Sequence, residues 1–146
     1  MTYNSDPLMR RASFQTPLRY EPLNTFRCGR PEYRLTEEFS FELGGFGSCY
    51  FITVPAGYIT DFASIPPGAR WLFPPNGPWA KAAVIHDYMY EYAAENFWRR
   101  EFCDLVFLNG MRLLKCPKLK SLTMYYTVRL FGARNFGKKT FEICQS

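Results

Sequence analysis

At "FPPNGP", residues 73–78, the hydrophobic period of the chain changes, and this restricts the fold more than any other feature. Before it, Tyr33, Leu35, Phe39, Phe41 and Leu43 alternate with Arg34, Thr36, Glu38, Ser40 and Glu42, broken only at Glu37. That is the period of a strand with one buried face. "GGFG" (44–47) predicts a turn, "SCYFITV" (48–54) the return strand of a β-hairpin, and 58–61 a third short strand. After the change the pattern is helical. One helix is expected from 79 to about 94, with Pro78 at its first turn, and a second from about 97 to 114, stopping before "CPK". A third runs from about 119 to 131, ending near Gly132. Gly110 inside the second helix costs ~1 kcal/mol relative to alanine. Strands followed by helices give the α+β class. Residues 1–31, rich in Pro, Arg and Asn without sustained period, predict an extended N-terminal arm, and 32–146 a single α+β domain.

A chain that is 47% hydrophobic and 18% aromatic has the material for an ordered core. Its formal charge of +5 is unevenly spread. From 105 to 141 there is no Asp or Glu, while Arg112, Lys115, Lys118, Lys120, Arg129, Arg134, Lys138 and Lys139 are all basic. Such a block suits an anionic partner (nucleic acid, phospholipid head groups or an acidic protein face) or forms a solvated surface. The five scattered cysteines predict neither a disulfide framework nor a zinc site. "MTYNSDPLMRRASF" lacks the apolar segment of a signal peptide, and no run approaches the ~20 apolar residues of a membrane span. A protein folding in a reducing cytoplasm is expected.

The only histidine, His86, lies in "AAVIHDYMYEYAAE". Helical spacing puts it on one stripe with Ala82, Tyr90 and Ala93, facing the apolar side, and Asp87 ~100° further round. The second helix carries Asp104 inside the apolar stripe of Phe97, Phe107, Leu108, Met111 and Leu114. A carboxylate there is costly unless paired. The short "AENF" turn makes the two helices antiparallel neighbours, so His86 and the Tyr90 hydroxyl are the expected partners of Asp104. Such a cluster suits a histidine general base or metal-assisted hydrolysis. Equally, it suits a polar contact that fixes helix register.

"HDYMY" followed by "FCDLVF" resembles the helical core of secreted and parvoviral phospholipases A2, over about 30 residues. The resemblance implies that His86 deprotonates water, Asp87 binds calcium or another divalent cation, and Asp104 orients His86, with Tyr90 completing the pattern. That family has a glycine-rich loop before the helix, whereas "RWLFPPNGPWAK" holds only Gly77. Asp61 in "TDFASIP" is a candidate replacement metal ligand, or a turn cap. A broader resemblance covers about 54–114. "VPAGYITDFASIPP", then "KAAVIHDYMY", then an Asp-bearing helix, is similar to an uncharacterised family encoded by tailed bacteriophages and prophages. Asp61, Ser64, His86, Asp87, Tyr90 and Asp104 stand at its marked positions.

These resemblances imply a virion-associated protein of the tail, baseplate or neck, made in the host cytoplasm, with a lipid hydrolase activity at the host membrane. The alternative is a non-catalytic virion subunit built on the same core. It would meet other virion proteins through the N-terminal arm and the basic C-terminal third, which is also the part suited to an anionic phospholipid surface. A nucleic-acid-binding module rests on basicity with interleaved aromatics alone. A Ser64 nucleophile is weaker still, because "TDFASIP" lacks the GxSxG elbow.

Overall fold

The computed structural model describes residues 12–43, 50–62 and 77–138. They form six short strands and then four helices, the α+β order expected. The strands are β1 (Ser13–Phe14), β2 (Tyr20–Arg27), β3 (Arg30–Leu35), β4 (Phe39–Leu43), β5 (Tyr50–Val54) and β6 (Ile59–Thr60). The helices are α1 (Ala80–Glu91), α2 (Ala93–Asn96), α3 (Arg100–Leu113) and α4 (Lys118–Phe131), followed by a 3-10 turn at Gly132–Arg134. No helix among the described residues is long and apolar enough to cross a membrane.

The strands make two antiparallel sheets, ordered β1-β4-β5 and β2-β3-β6. The expected hairpin is β4–β5, with Phe39 opposite Val54 and Leu43 opposite Tyr50. Its turn, 44–47, lies outside the described residues. The period-two run from Tyr33 to Leu43 is not one strand, however. It divides after Leu35, next to the break at Glu37, and its halves join different sheets.

Part of the stretch read as an extended arm is indeed extended, but it is paired. Ser13–Phe14 edges β4, and β2 forms a hairpin with β3. Cys28 and Gly29 make that two-residue turn, both at positive φ (48° and 74°). This handedness matches the twist of the flanking strands. Arg27 and Arg30 face each other across the turn and are held by Glu32 at 2.7 Å and Asp61 at 3.5 Å. Cys28 is also disulfide-bonded, against the sequence expectation, because sequence spacing does not report which sulfurs meet in space. Cys103 and Cys116 are buried free thiols.

The helix expected over 79–94 bends at Tyr92 and closes at Phe97. There the Phe97 and Trp98 N–H groups donate to the Ala94 and Ala93 carbonyls, and Phe97 is left-handed (φ 57°). This is a Schellman closure, usually made by glycine. It puts Phe97 in solvent rather than in the apolar stripe expected for it, and delays α3 to Arg100.

Helix α1 is buried nearly all round and packs on β5 and α3, with α4 against α3. Phe39, Phe41, Leu43, Ile52, Ile85, Met89, Phe107 and Met111 fill the space between sheet and helices. Gly110 accounts for the close approach of α1 and α3, since a Cβ there would stand 2.9 Å from the Ala82 Cβ. The glycine that weakens α3 in isolation is what allows it to meet α1.

Candidate functional site

Ala82, early in α1, meets Gly110, late in α3, while Tyr90, late in α1, meets Asp104, early in α3. The helices are therefore antiparallel, and the 86/90 spacing directs His86 and Tyr90 at one carboxylate. His86 Nε2 is 2.8 Å from Asp104 Oδ1, and the Tyr90 hydroxyl donates to the same oxygen at 2.5 Å. Asp104 is 0% exposed and His86 2%. The imidazole lies against the Tyr90 and Phe107 rings, with centroids 4.1 and 4.7 Å away.

Two arginines complete the cluster. Arg129 of α4 donates to Asp104 Oδ2 at 2.8 Å, and Arg100 stands 3.8 Å from that oxygen. Arg100 also donates to the Val128 and Arg129 carbonyls, fastening the end of α4 beside the cluster. Gly132 continues the close approach, since a Cβ there would stand 2.7 Å from the Tyr90 hydroxyl. Arg100 had a sequence signal, its four-residue separation from Asp104 on one helix. Arg129, 25 residues away on another helix, had none.

Burial pushes the Asp104 carboxyl upward. The hydrogen bond and charge of His86, with hydrogen bonds from Tyr90 and Arg129, outweigh it and leave the group below the usual carboxylate range. Burial, then the bond to Asp104, drives the Tyr90 hydroxyl far up, so it stays a donor. Burial, with the Asp104 charge, also holds the neighbouring Cys103 thiol at about 12. An ionised carboxylate only accepts hydrogen bonds. Nε2 of His86 therefore carries a proton toward Asp104.

Asp87 and Asp61 lie on another side of α1. The Thr60 hydroxyl donates to Asp87 Oδ2 at 3.3 Å and accepts from the Phe62 N–H at 3.0 Å. Tyr58 donates to Glu91 at 3.0 Å; burial and the charges of Asp87, Glu91 and Asp61 hold its hydroxyl well above the ordinary range. Phe62 packs with Tyr20 and Tyr33 at centroid distances of 5.4 and 5.2 Å. "TDF" is thus a latch: Thr60 ties to α1, Asp61 to Arg30, and Phe62 to the β2–β3 hairpin. Among the described residues no three His, Cys, Asp or Glu side chains are placed to hold one metal ion. The Arg30 guanidinium supplies the positive charge at Asp61. Ser64 lies outside the described residues.

Fold and cluster together define an α+β protein whose core polar group is a His–Asp–Tyr set shared by two antiparallel helices. The chain belongs to the family described as protein of unknown function (DUF1353), which matches residues 33–128. That span takes in Asp61, His86, Asp87, Tyr90 and Asp104, and stops just short of Arg129. No curated protein matches the chain, and no solved structure does.

Proposed function

We propose that this protein is a phage virion-associated hydrolase with a phospholipase-A2-like core, acting on lipid of the host membrane. The observation that carries the reading is the 2.8 Å contact from His86 Nε2 to Asp104, made across antiparallel helices with Tyr90 on the same oxygen. It holds the imidazole of His86 by Nε2 against a carboxylate, the orientation a histidine general base requires. Asp104 acts through His86 as a positioning residue, and Tyr90 holds Asp104. No step is routed through a metal.

A second reading, a non-catalytic virion subunit with the cluster as its scaffold, is favoured by one observation. Arg129 neutralises Asp104 and closes the cluster from α4, while His86 is 2% exposed. Fatty-acid release from mixed anionic vesicles, with calcium and with chelator, separates the two. Release by wild type that is lost in a folded His86→Ala variant supports the hydrolase. Equal traces from both leave the scaffold. Stoichiometric recovery from purified particles tests the virion assignment, and absence there removes it.

A further inference from the structure

The outward face of α4 is apolar where a surface helix is ordinarily polar. Leu119, Tyr126 and Leu130 are 79%, 59% and 74% exposed, and Phe131 at the helix end is 66% exposed. At ~100° per residue the first three fall within ~40° of one another, opposite the buried Ser121, Met124 and Val128. The threonines of this face have hidden their polarity. Thr123 and Thr127 hydroxyls donate to the Leu119 and Thr123 carbonyls, at 2.8 and 2.7 Å. Such back-bonding satisfies the hydroxyl within the helix and lessens its need for water. The result is a continuous apolar stripe running ~17 Å along the helix.

Lys118 and Lys120 stand on either side of the stripe at its start, with Lys115, Arg134 and Lys138 exposed beyond its ends. No acidic residue occurs between 105 and 141 to offset them. A second copy docking face to face would oppose these cations with more cations. A protein partner would have to bring an acidic groove to a convex ridge. An anionic bilayer needs no groove: a helix lying in its interface buries the apolar stripe among acyl chains and leaves flanking lysines at the head groups.

We propose that α4 is a membrane-docking helix that lays Leu119, Tyr126 and Leu130 into an anionic lipid surface, with the flanking lysines on the phosphates. The proposal deepens the lipid-directed reading above and rests on it for the choice of a bilayer as the partner. Arg129, on the flank of the helix about 80° from the stripe, reaches the His86–Asp104 cluster, so docking here would bring that cluster near the membrane surface.

The test is co-sedimentation of the full chain with phosphatidylcholine vesicles, with and without phosphatidylglycerol. Leu119→Asp/Leu130→Asp is compared with wild type after circular dichroism confirms an unchanged fold. The expected result is binding that requires phosphatidylglycerol and weakens about tenfold or more in the double variant. Lys118→Gln/Lys120→Gln should weaken binding too, and make the remainder less sensitive to salt. Binding of the leucine variant at wild-type strength, or equal binding to both vesicles, overturns the proposal. So does lipid-free self-association that the leucine variant abolishes, which would make the face an interface between copies. Phosphatidylglycerol-dependent, stripe-dependent binding without fatty-acid release leaves the docking intact and removes the hydrolase. Fatty-acid release that the leucine variant leaves unchanged does the reverse.

Discussion

Arg129 Nη1 donates to Asp104 Oδ2 at 2.8 Å, on the carboxylate whose other oxygen takes His86 and Tyr90. Three helices thus converge on one buried anion: α1 brings the imidazole and the phenol, α3 the carboxylate, α4 the guanidinium. A buried charge is tolerable only when its partners are in place. The cluster therefore fixes where α4 sits, whatever chemistry His86 performs.

Removing the anion should cost more than removing the cation. Asp104→Asn leaves Arg129 and Arg100 facing each other's charge beside a buried amide, and about 3 kcal/mol of stability should be lost. Arg129→Met should cost only about 1–2 kcal/mol. Arg129 is partly exposed, and Arg100, already 3.8 Å from the same oxygen, can take its place. Urea unfolding of both variants and of the double variant measures the coupling. If Arg129→Met proves as damaging as Asp104→Asn, Arg100 does not substitute.

The same group sets an acid limit on stability. The Asp104 carboxyl is depressed by its donors, while an unfolded aspartate titrates near ~3.9. Its contribution is therefore present above about pH 4 and is lost as pH falls through the folded value. The advantage of wild type over Asp104→Asn should shrink steadily below about pH 4. Tyr90 has the opposite sign. Its hydroxyl is raised by burial and by Asp104, so its contribution is full below about pH 10 and declines above it. Unfolding midpoints across pH for wild type, Asp104→Asn and Tyr90→Phe check both limbs. A constant difference would show that the ionisations are not linked to folding.

Gly110→Ala reverses a familiar sign. In an exposed helix this change gains about 1 kcal/mol from propensity. Here the new Cβ meets the Ala82 Cβ at 2.9 Å and the Phe14 ring at 3.3 Å. The helices must separate, and a net loss of about 1–2 kcal/mol is expected. Ala82→Gly in the same chain should restore part of it. A stabilised Gly110→Ala protein would show that α1 and α3 have room to spare.

How much of this was legible in the sequence depends on the range of each signal. His86, Tyr90 and Asp104 were readable together because helical spacing aligns the first two and an acid inside an apolar stripe demands a partner. The β4–β5 hairpin was readable from its alternation. The β2–β3 hairpin was missed because Cys28–Gly29 is not one of the common turn pairs and β2 carries little alternation, its residues being exposed or half-buried. The division after Leu35 was missed because alternation reports which face is buried, not which sheet a strand joins. Arg129 was invisible for a different reason. It lies among other basic residues in an acid-free stretch, and only the packing of α4 against α3 tells it from its neighbours.

The Thr60 latch offers the sharpest separation of structure from chemistry. Its hydroxyl accepts from the Phe62 N–H and donates to Asp87, and both Thr60 and Phe62 are buried. Thr60→Val keeps the shape and strands the Phe62 N–H, so about 1–3 kcal/mol should be lost. Thr60→Ser keeps the hydroxyl and should recover most of that. The functional consequence turns on Asp87, which loses a hydrogen bond in the valine variant but keeps its charge. If Asp87 serves the proposed lipid chemistry, Thr60→Val should lower fatty-acid release at temperatures where the protein remains folded, and Thr60→Ser should restore it. Full release by a folded Thr60→Val protein would assign Thr60 and its bond to Asp87 to holding the sheet against α1 and to nothing else.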